Sequence, residues 1–269
     1  MPDGQGEKRR FTSDAESVHL GVGEIREQRE TEFKILGDWE KRLKPTLKEM
    51  GAKKVFNGTI TIWWFKNGLP RGMSARVKKA EDDDGSVEYI WTIKYDAERS
   101  NGSQPELIRD TFEREGREKS FGKAKSVLMA EVERFAVEKK LIQVPFPATR
   151  QTATFEIKKR RVSYVIKEGE FAGLRLDFDT FKEASGRKGR KKIEQIQLVE
   201  IEDTSDDDPV AKERRIFACA LALGFTEAQV KTEFAPLSTE ALLIRLGQVE
   251  RRSVVSDKKL DEGKMEGDY

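Results

Sequence analysis

The sequence predicts an α+β fold: seven or eight strands, mostly antiparallel, with helices between and after them. Three observations predict it. β-prone stretches recur along the chain, and several have one apolar and one charged face, as alternation in an extended strand produces. Runs at helical spacing separate some of these stretches and follow the last one. Clusters of Gly, Pro, Asn and Asp divide them.

Bulk composition narrows the function. At 269 residues the chain can build one large domain or two small ones. Charged residues reach 37%, yet 51 basic residues nearly balance 49 acidic ones, so the chain is not built to coat nucleic acid. That balance instead allows many charges to face one another. The single cysteine, Cys219, excludes an intrachain disulfide and sits in the apolar helical run A-C-A-L-A-L, which marks it as core. The single histidine, His19, lies in a polar stretch and argues against histidine catalysis and zinc. No apolar run reaches membrane-spanning length and the first residues lack the apolar core of a secretory signal, so no membrane partner and a reduced, cytoplasmic compartment are expected.

In chain order, residues 1–23 are polar and Gly-rich with a basic cluster, Lys8-Arg9-Arg10, and are expected to form a flexible leader. A strand follows over 24–36, where Gln28, Glu30, Glu32 and Lys34 share one face. Residues 37–50 read as a helix through Trp39, Leu43, Leu47 and Met50, with Asp38 able to cap it, Pro45 able to kink it and Gly51 able to end it. Residues 54–66 are strongly β-prone, and the N-G-L-P-R-G run at 67–72 is a turn. A hairpin is expected next. Its first strand, 73–80, places Arg76 and Lys78 on one face; its second, 87–95, places Lys94 opposite Tyr89, Trp91 and Ile93, the face expected to be buried.

After a loop at 101–105, residues 107–115 can form a strand with Arg109, Thr111 and Glu113 on one face, and 123–139 a helix. The long strand at 152–166 carries Lys158, Lys159, Arg160 and Arg161. Its phase is ambiguous: Phe155 and Ile157 favour one parity, Val162, Tyr164 and Ile166 the other, and a bulge could reconcile them. A strand at 174–178 holds Arg175 and Asp177, with Asp179 after it. A flexible basic loop is expected at 185–192 and a last strand at 193–203, where Glu200 and Glu202 alternate with Val199 and Ile201 but Leu198 shares the glutamate phase. Helices are expected at 209–223, 226–234 and 238–246, the second opened by a Thr226–Gln229 capping box. Residues 248–269 are expected to be a disordered tail.

The charged strand faces must look either to solvent or into the lumen of a closed barrel, because burying them unpaired is prohibitively costly. In a lumen they would be useful. The E-x-E carboxylates can hold Mg²⁺ or Mn²⁺, and the arginines and lysines can hold a polyphosphate. Together they suit phosphoryl transfer by positioning and charge neutralisation. A lone E-x-E is nearly uninformative; the ordered set is specific.

That set resembles the CYTH family, the triphosphate tunnel metalloenzymes. Glu30-Thr31-Glu32-Phe33-Lys34 is similar to the family's ExExK signature, Arg76-Val77-Lys78 to its R-x-R/K pair, and Thr92-Ile93-Lys94 to its L-T-x-K strand. Arg109 and Glu113 approximate the next R/E strand. Lys159, Arg161 and Tyr164 resemble K-x-R-x-x-Y, which favours Arg161 over Arg160 in a lumen. Leu176-Asp177 and Glu200-Ile201-Glu202 resemble the closing motifs. The resemblance covers residues 24–247 and implies an eight-stranded antiparallel β tunnel, or barrel, with flanking helices.

It also implies a divalent-metal-dependent hydrolase that removes the γ-phosphate from tripolyphosphate, a nucleoside triphosphate or an RNA 5′-triphosphate end. Glu30, Glu32, Glu200 and Glu202 would be metal ligands and, with Asp177, the catalytic carboxylates. Lys34, Arg76, Lys78, Lys94, Arg109, Lys159 and Arg161 would bind the substrate. The alternatives are a class IV-like adenylyl cyclase, or a non-catalytic module that binds polyphosphate or RNA ends. The strand at 59–65 departs from the family, lacking its usual Q-x-D-x-Y, and Glu233-Phe234-Ala235 stands where an S-Y pair is common.

Overall fold

A computed structural model describes residues 21–65, 69, 73–96, 109–140, 153–186, 189–193 and 196–232. Nearly all of the expected leader, the expected tail, the third C-terminal helix and the loop at 101–105 lie outside these residues. The described elements are β1 (Ile25–Leu36), α1 (Glu40–Glu49), β2 (Ala52–Phe65), β3 (Met73–Asp82), β4 (Val87–Asp96), β5 (Arg109–Glu118), α2 (Phe121–Glu138), β6 (Phe155–Ile166), β7 (Arg175–Gly186), β8 (Gly189–Lys192), β9 (Gln197–Asp203), α3 (Pro209–Ala222) and α4 (Glu227–Thr232).

Every strand pairs antiparallel with its neighbours in the order β6-β2-β3-β4-β5-β1-β9-β7, and β6 pairs with β7 to close the ring. The result is an eight-stranded barrel with one short strand, β8, appended to β7. Closure removes free sheet edges and separates two faces on every strand.

The outward faces carry the main cores. On one side α2 covers β3, β4 and β5, burying Val77, Trp91 and Ile93 against Leu128, Val132 and Phe135. Gly116 of β5 is required there, since a Cβ would lie 2.6 Å from the Trp91 indole. On the other side α1 and α3 cover β1, β6, β7 and β9, packing Leu43, Leu47 and Ile216 on Phe33, Ile35, Tyr164 and Ile201. Lys212 of α3 is 1% exposed and donates to the Arg29 carbonyl of β1 at 2.7 Å, tying helix to strand.

Helix ends follow local chemistry. Asp208 caps α3 by accepting from Val210 and Ala211 at 2.9 and 3.2 Å, with Pro209 in the first turn. The Thr226–Gln229 capping box forms, each residue's backbone N–H donating to the other's side chain at 3.0 and 3.1 Å. Asp38 does not cap α1: Trp39 occupies the N-cap and no side chain bonds the free amides.

Three further expectations are revised. The stretch at 185–192 is not a loop throughout: β7 runs on to Gly186 and pairs back on β8 as a hairpin. The ambiguous strand β6 is regular, with odd-numbered residues inward and even-numbered ones outward. Bulges lie instead in its partners: in β7, where Lys158 pairs with Glu183 and Lys159 with Phe181, so Lys182 is extra, and in β2, where Lys54 pairs with Tyr164 and Phe56 with Ser163, so Val55 is extra. Finally, Phe155, Ile157 and Leu198 face the lumen together with charged residues, because part of the lumen is itself apolar.

Candidate functional site

The inward faces enclose a cavity of about 770 Å³ lined by all eight barrel strands. Register places its carboxylates side by side. On β1 and β9, Glu32 pairs with Glu202 and Lys34 with Glu200; on β9 and β7, Glu200 pairs with Asp177 and Glu202 with Arg175. Glu30, Glu32 and Glu202 bring carboxylate oxygens within 4.8 Å of one another, and so do Asp177, Glu200 and Glu202. The two clusters share Glu202.

Cations hold most of these acids. Lys34 bonds Glu32 at 2.7 Å and Glu200 at 2.5 Å. Lys94 bonds Glu30 and lies 3.7 Å from Glu32 and 3.8 Å from Glu113. Arg161 bonds Asp177, Asp179 at 2.7 Å and Glu200 at 2.9 Å. Lys159 bonds Asp179 at 2.5 Å, and Arg175 bonds Asp177 at 2.8 Å. Arg160, one residue from Arg161, points outward to Asp83 and Asn57.

These fields set the ionisation. Burial would raise the Glu200 carboxyl, but Lys34, Arg161 and Lys159 hold it well below its ordinary value. Asp177 is likewise held down against burial by Arg161 and Arg175. Glu202 goes the other way. Burial and then the Glu30, Asp177 and Glu200 charges push it well above the ordinary value, and no described cation is ion-paired with it. Burial and Glu113 raise Glu30 despite Lys94. Arg175, across the register, offsets this only in part; a carboxylate crowded by three others fits a divalent cation, for which an all-oxygen donor set is suited.

The opposite wall carries Arg76 and Lys78 of β3, with Glu113 and Glu115 of β5 as the acids that act on Lys78. Lys78 of β3 makes no ion pair or hydrogen bond among the described residues, and burial together with Arg76 pushes it down to about 8. The buried Arg76 Nε has no acceptor among the described residues, while its guanidinium lies 3.6 Å from Glu113. Two neighbouring cations, one of them pushed down by the other, form a site for an anion.

Of the residues singled out from the sequence, Glu30, Glu32, Lys34, Arg76, Lys78, Lys94, Lys159, Arg161, Glu200 and Glu202 line the cavity. Asp177 belongs to the second carboxylate cluster and is fully buried. Arg109 pairs with Glu32 at the start of β5, and its side chain is outside the described part. Sequence reasoning assigned no role to Arg175 or Asp179, although the R-x-D-x-D alternation on β7 carried the signal. Gln28 and Glu115 also line the cavity. So do Ile60, Ile62 and Trp64 of β2, which as apolar residues give no sign of a tunnel wall in the sequence.

No family model matches the sequence, and no curated protein sequence matches it significantly. Solved structures do match. A conserved hypothetical protein from Pyrococcus furiosus is 21% identical with a TM-score of 0.50, over 79% of this chain and 99% of the other. HpAC1 from Hippeastrum, described as having a dominant triphosphatase activity, is 14% identical with a TM-score of 0.50, over 82% and 97%. PH1012 from Pyrococcus horikoshii is 17% identical with a TM-score of 0.49, over 78% and 96%. The closed ring and its inward charges agree with this likeness: the chain shares the eight-stranded antiparallel tunnel fold of these structures.

Proposed function

We propose that the protein is a divalent-metal-dependent triphosphatase that removes the terminal phosphate from a triphosphate. One observation carries this reading: two carboxylate clusters that share the crowded Glu202 lie at the same cavity as the neighbouring cations Arg76 and Lys78. Glu30, Glu32, Glu200 and Glu202 would hold Mg²⁺ or Mn²⁺, and Asp177 completes the second cluster. The bound ion supplies charge neutralisation at phosphoryl oxygens and acidifies coordinated water.

The chain's own residues do the rest. Arg76 and Lys78 accept the phosphate chain first, since they give up the fewest internal partners. Lys94, Lys34, Lys159 and Arg161 hold the carboxylates ionised and in place, and lie close enough to share their donors with phosphate oxygens. Asp177 stays anionic between Arg161 and Arg175 and keeps both guanidinium groups oriented. Arg109, the first residue of β5, is proposed as a further phosphate contact.

The test is a product assay with tripolyphosphate, ATP and triphosphate-ended RNA in Mg²⁺ or Mn²⁺. Orthophosphate is the expected product, and the Glu30→Ala/Glu200→Ala double variant is expected to be inactive. Activity that survives the double variant overturns the reading. Cyclic AMP with pyrophosphate from ATP would replace it with a cyclase.

A further inference from the structure

Among the described residues, Asp179 is the inward carboxylate of β7 and β9 that belongs to neither cluster able to hold a metal. It is 2% exposed. Its register partner on β9 is Leu198, which brings no charge, so its described ion partners are both on β6. Lys159 Nζ donates to Asp179 at 2.5 Å and makes no other ion pair among the described residues. Arg161 is committed further. Its Nε and Nη2 each donate to Asp179 at 2.7 Å, Nη2 also donates to Glu200 at 2.9 Å, and Nη1 donates to Asp177, which leaves a single Nη1 hydrogen uncommitted. Both cations border the cavity, whereas Asp179 does not. The cavity is therefore lined by two cation pairs of unequal readiness. On β3, Arg76 lies 3.6 Å from Glu113 and Lys78 makes no ion pair among the described residues. On β6, the donors are already turned to a carboxylate.

A carboxylate held by two parallel N–H groups of a guanidinium presents the same pair of oxygens that a phosphate would. Asp179 thus takes donors that an anion in the cavity could otherwise use. We propose that Asp179 is a built-in counter-anion that determines which cations a ligand can engage: it withholds Lys159 and Arg161, so that an entering anion is held by Arg76 and Lys78, and its removal opens a second anion subsite on β6. Without Asp179, two buried cations lose a shared counter-charge, and an anion from solution restores it. That the anion is a phosphate chain rests on the triphosphate reading of the site; the withholding rests on the Asp179 contacts alone.

The test is calorimetric binding of inorganic sulfate, an anion with no bond to cleave here, to the full chain and to Asp179→Asn, with turnover of tripolyphosphate followed separately. The variant is expected to melt lower without anion, yet to bind sulfate about tenfold tighter than the wild type. The sign separates the two roles open to Asp179. A residue that merely holds Lys159 and Arg161 in place would, when replaced, leave sulfate binding unchanged or weaker, and either result overturns the proposal. Tighter binding by the variant with no turnover by the wild type leaves the role of Asp179 standing and removes the hydrolase. Should Asp179→Asn fail to fold, the arginine Nε–H resonances of the wild type, assigned with Arg76→Lys and Arg161→Lys, supply the second measurement. Sulfate is expected to shift the Arg76 signal and leave the Arg161 signal in place; a shift at Arg161 as large as that at Arg76 overturns the proposal.

Discussion

Glu202 of β9 stands directly across the strand register from Glu32 of β1, and it is the carboxylate shared by both acidic clusters. No described cation is ion-paired with it, so the fold carries a local repulsion that a divalent cation would relieve. Glu202→Gln removes one of the crowded charges. Without metal, the variant is expected to melt higher by roughly 2–4 °C, equivalent to about 1 kcal/mol in a domain of this size. With metal, activity on tripolyphosphate is expected to fall about 100-fold or more, the scale for losing one charge-stabilising group. Paired melting curves and initial rates check this; a lower metal-free melting temperature would contradict it.

The same crowding sets a pH dependence. Glu202 and Glu30 have folded-state pKa values above the ordinary 4.5, so above that pH the folded chain holds more protons than the unfolded chain. Their contribution to stability therefore declines as pH rises from about 4.5, until both have ionised. Glu200, Asp177 and Glu113 are depressed instead, so what they contribute is complete above the ordinary carboxylate range and is lost only in acid. Saturating Mg²⁺, which favours ionised carboxylates, is expected to offset the decline. Melting temperature measured from pH 5 to 7.5 with and without Mg²⁺ reads the difference; parallel curves would refute it.

Lys78, pushed down to about 8, predicts how the anion site titrates. Affinity for tripolyphosphate is expected to weaken as pH rises through about 8, with proton uptake on binding near that pH. Lys78→Arg keeps the charge and is expected to flatten the dependence. Calorimetry in buffers of different ionisation heat measures the proton count directly. A wild-type profile as flat as the variant's would rule Lys78 out as the titrating group.

Arg161 and Arg160 are sequence neighbours with opposite fates. Arg161→Ala strips three buried carboxylates of a shared partner and is expected to cost about 3–5 kcal/mol. Arg160→Ala breaks an exposed pair with Asp83 and is expected to leave the melting temperature nearly unchanged. Denaturant unfolding of the two variants compares them; equal losses would mean that β6 is phased differently.

Lys212→Met tests the tie between α3 and β1. It deletes a buried donor to the Arg29 carbonyl, on the strand that carries Glu30 and Glu32. A loss of about 1–3 kcal/mol is expected from the Arg29 carbonyl left without this donor, measured by denaturant unfolding. A neutral result would mean that the helix docks by its apolar face alone.

The sequence by itself determined which residues share a strand face. Period-two alternation is covalent geometry, so Glu30, Glu32 and Lys34, or Arg76 and Lys78, were grouped wherever the strand ran. Motif order was enough to suggest the closed ring. It could not decide what alternation leaves open: β6 carries two competing apolar sets, and only pairing with β2 and β7 shows that one set faces α1 and α3 while the other faces the lumen. Nor could it show that Ile60, Ile62 and Trp64 line a tunnel, because an apolar residue reads the same against a helix or inside a barrel. Tertiary structure decided which charges meet. Among the described residues neither Glu202 nor Lys78 is in an ion pair, because of how eight strands are staggered around the ring, a long-range register that no local stretch encodes.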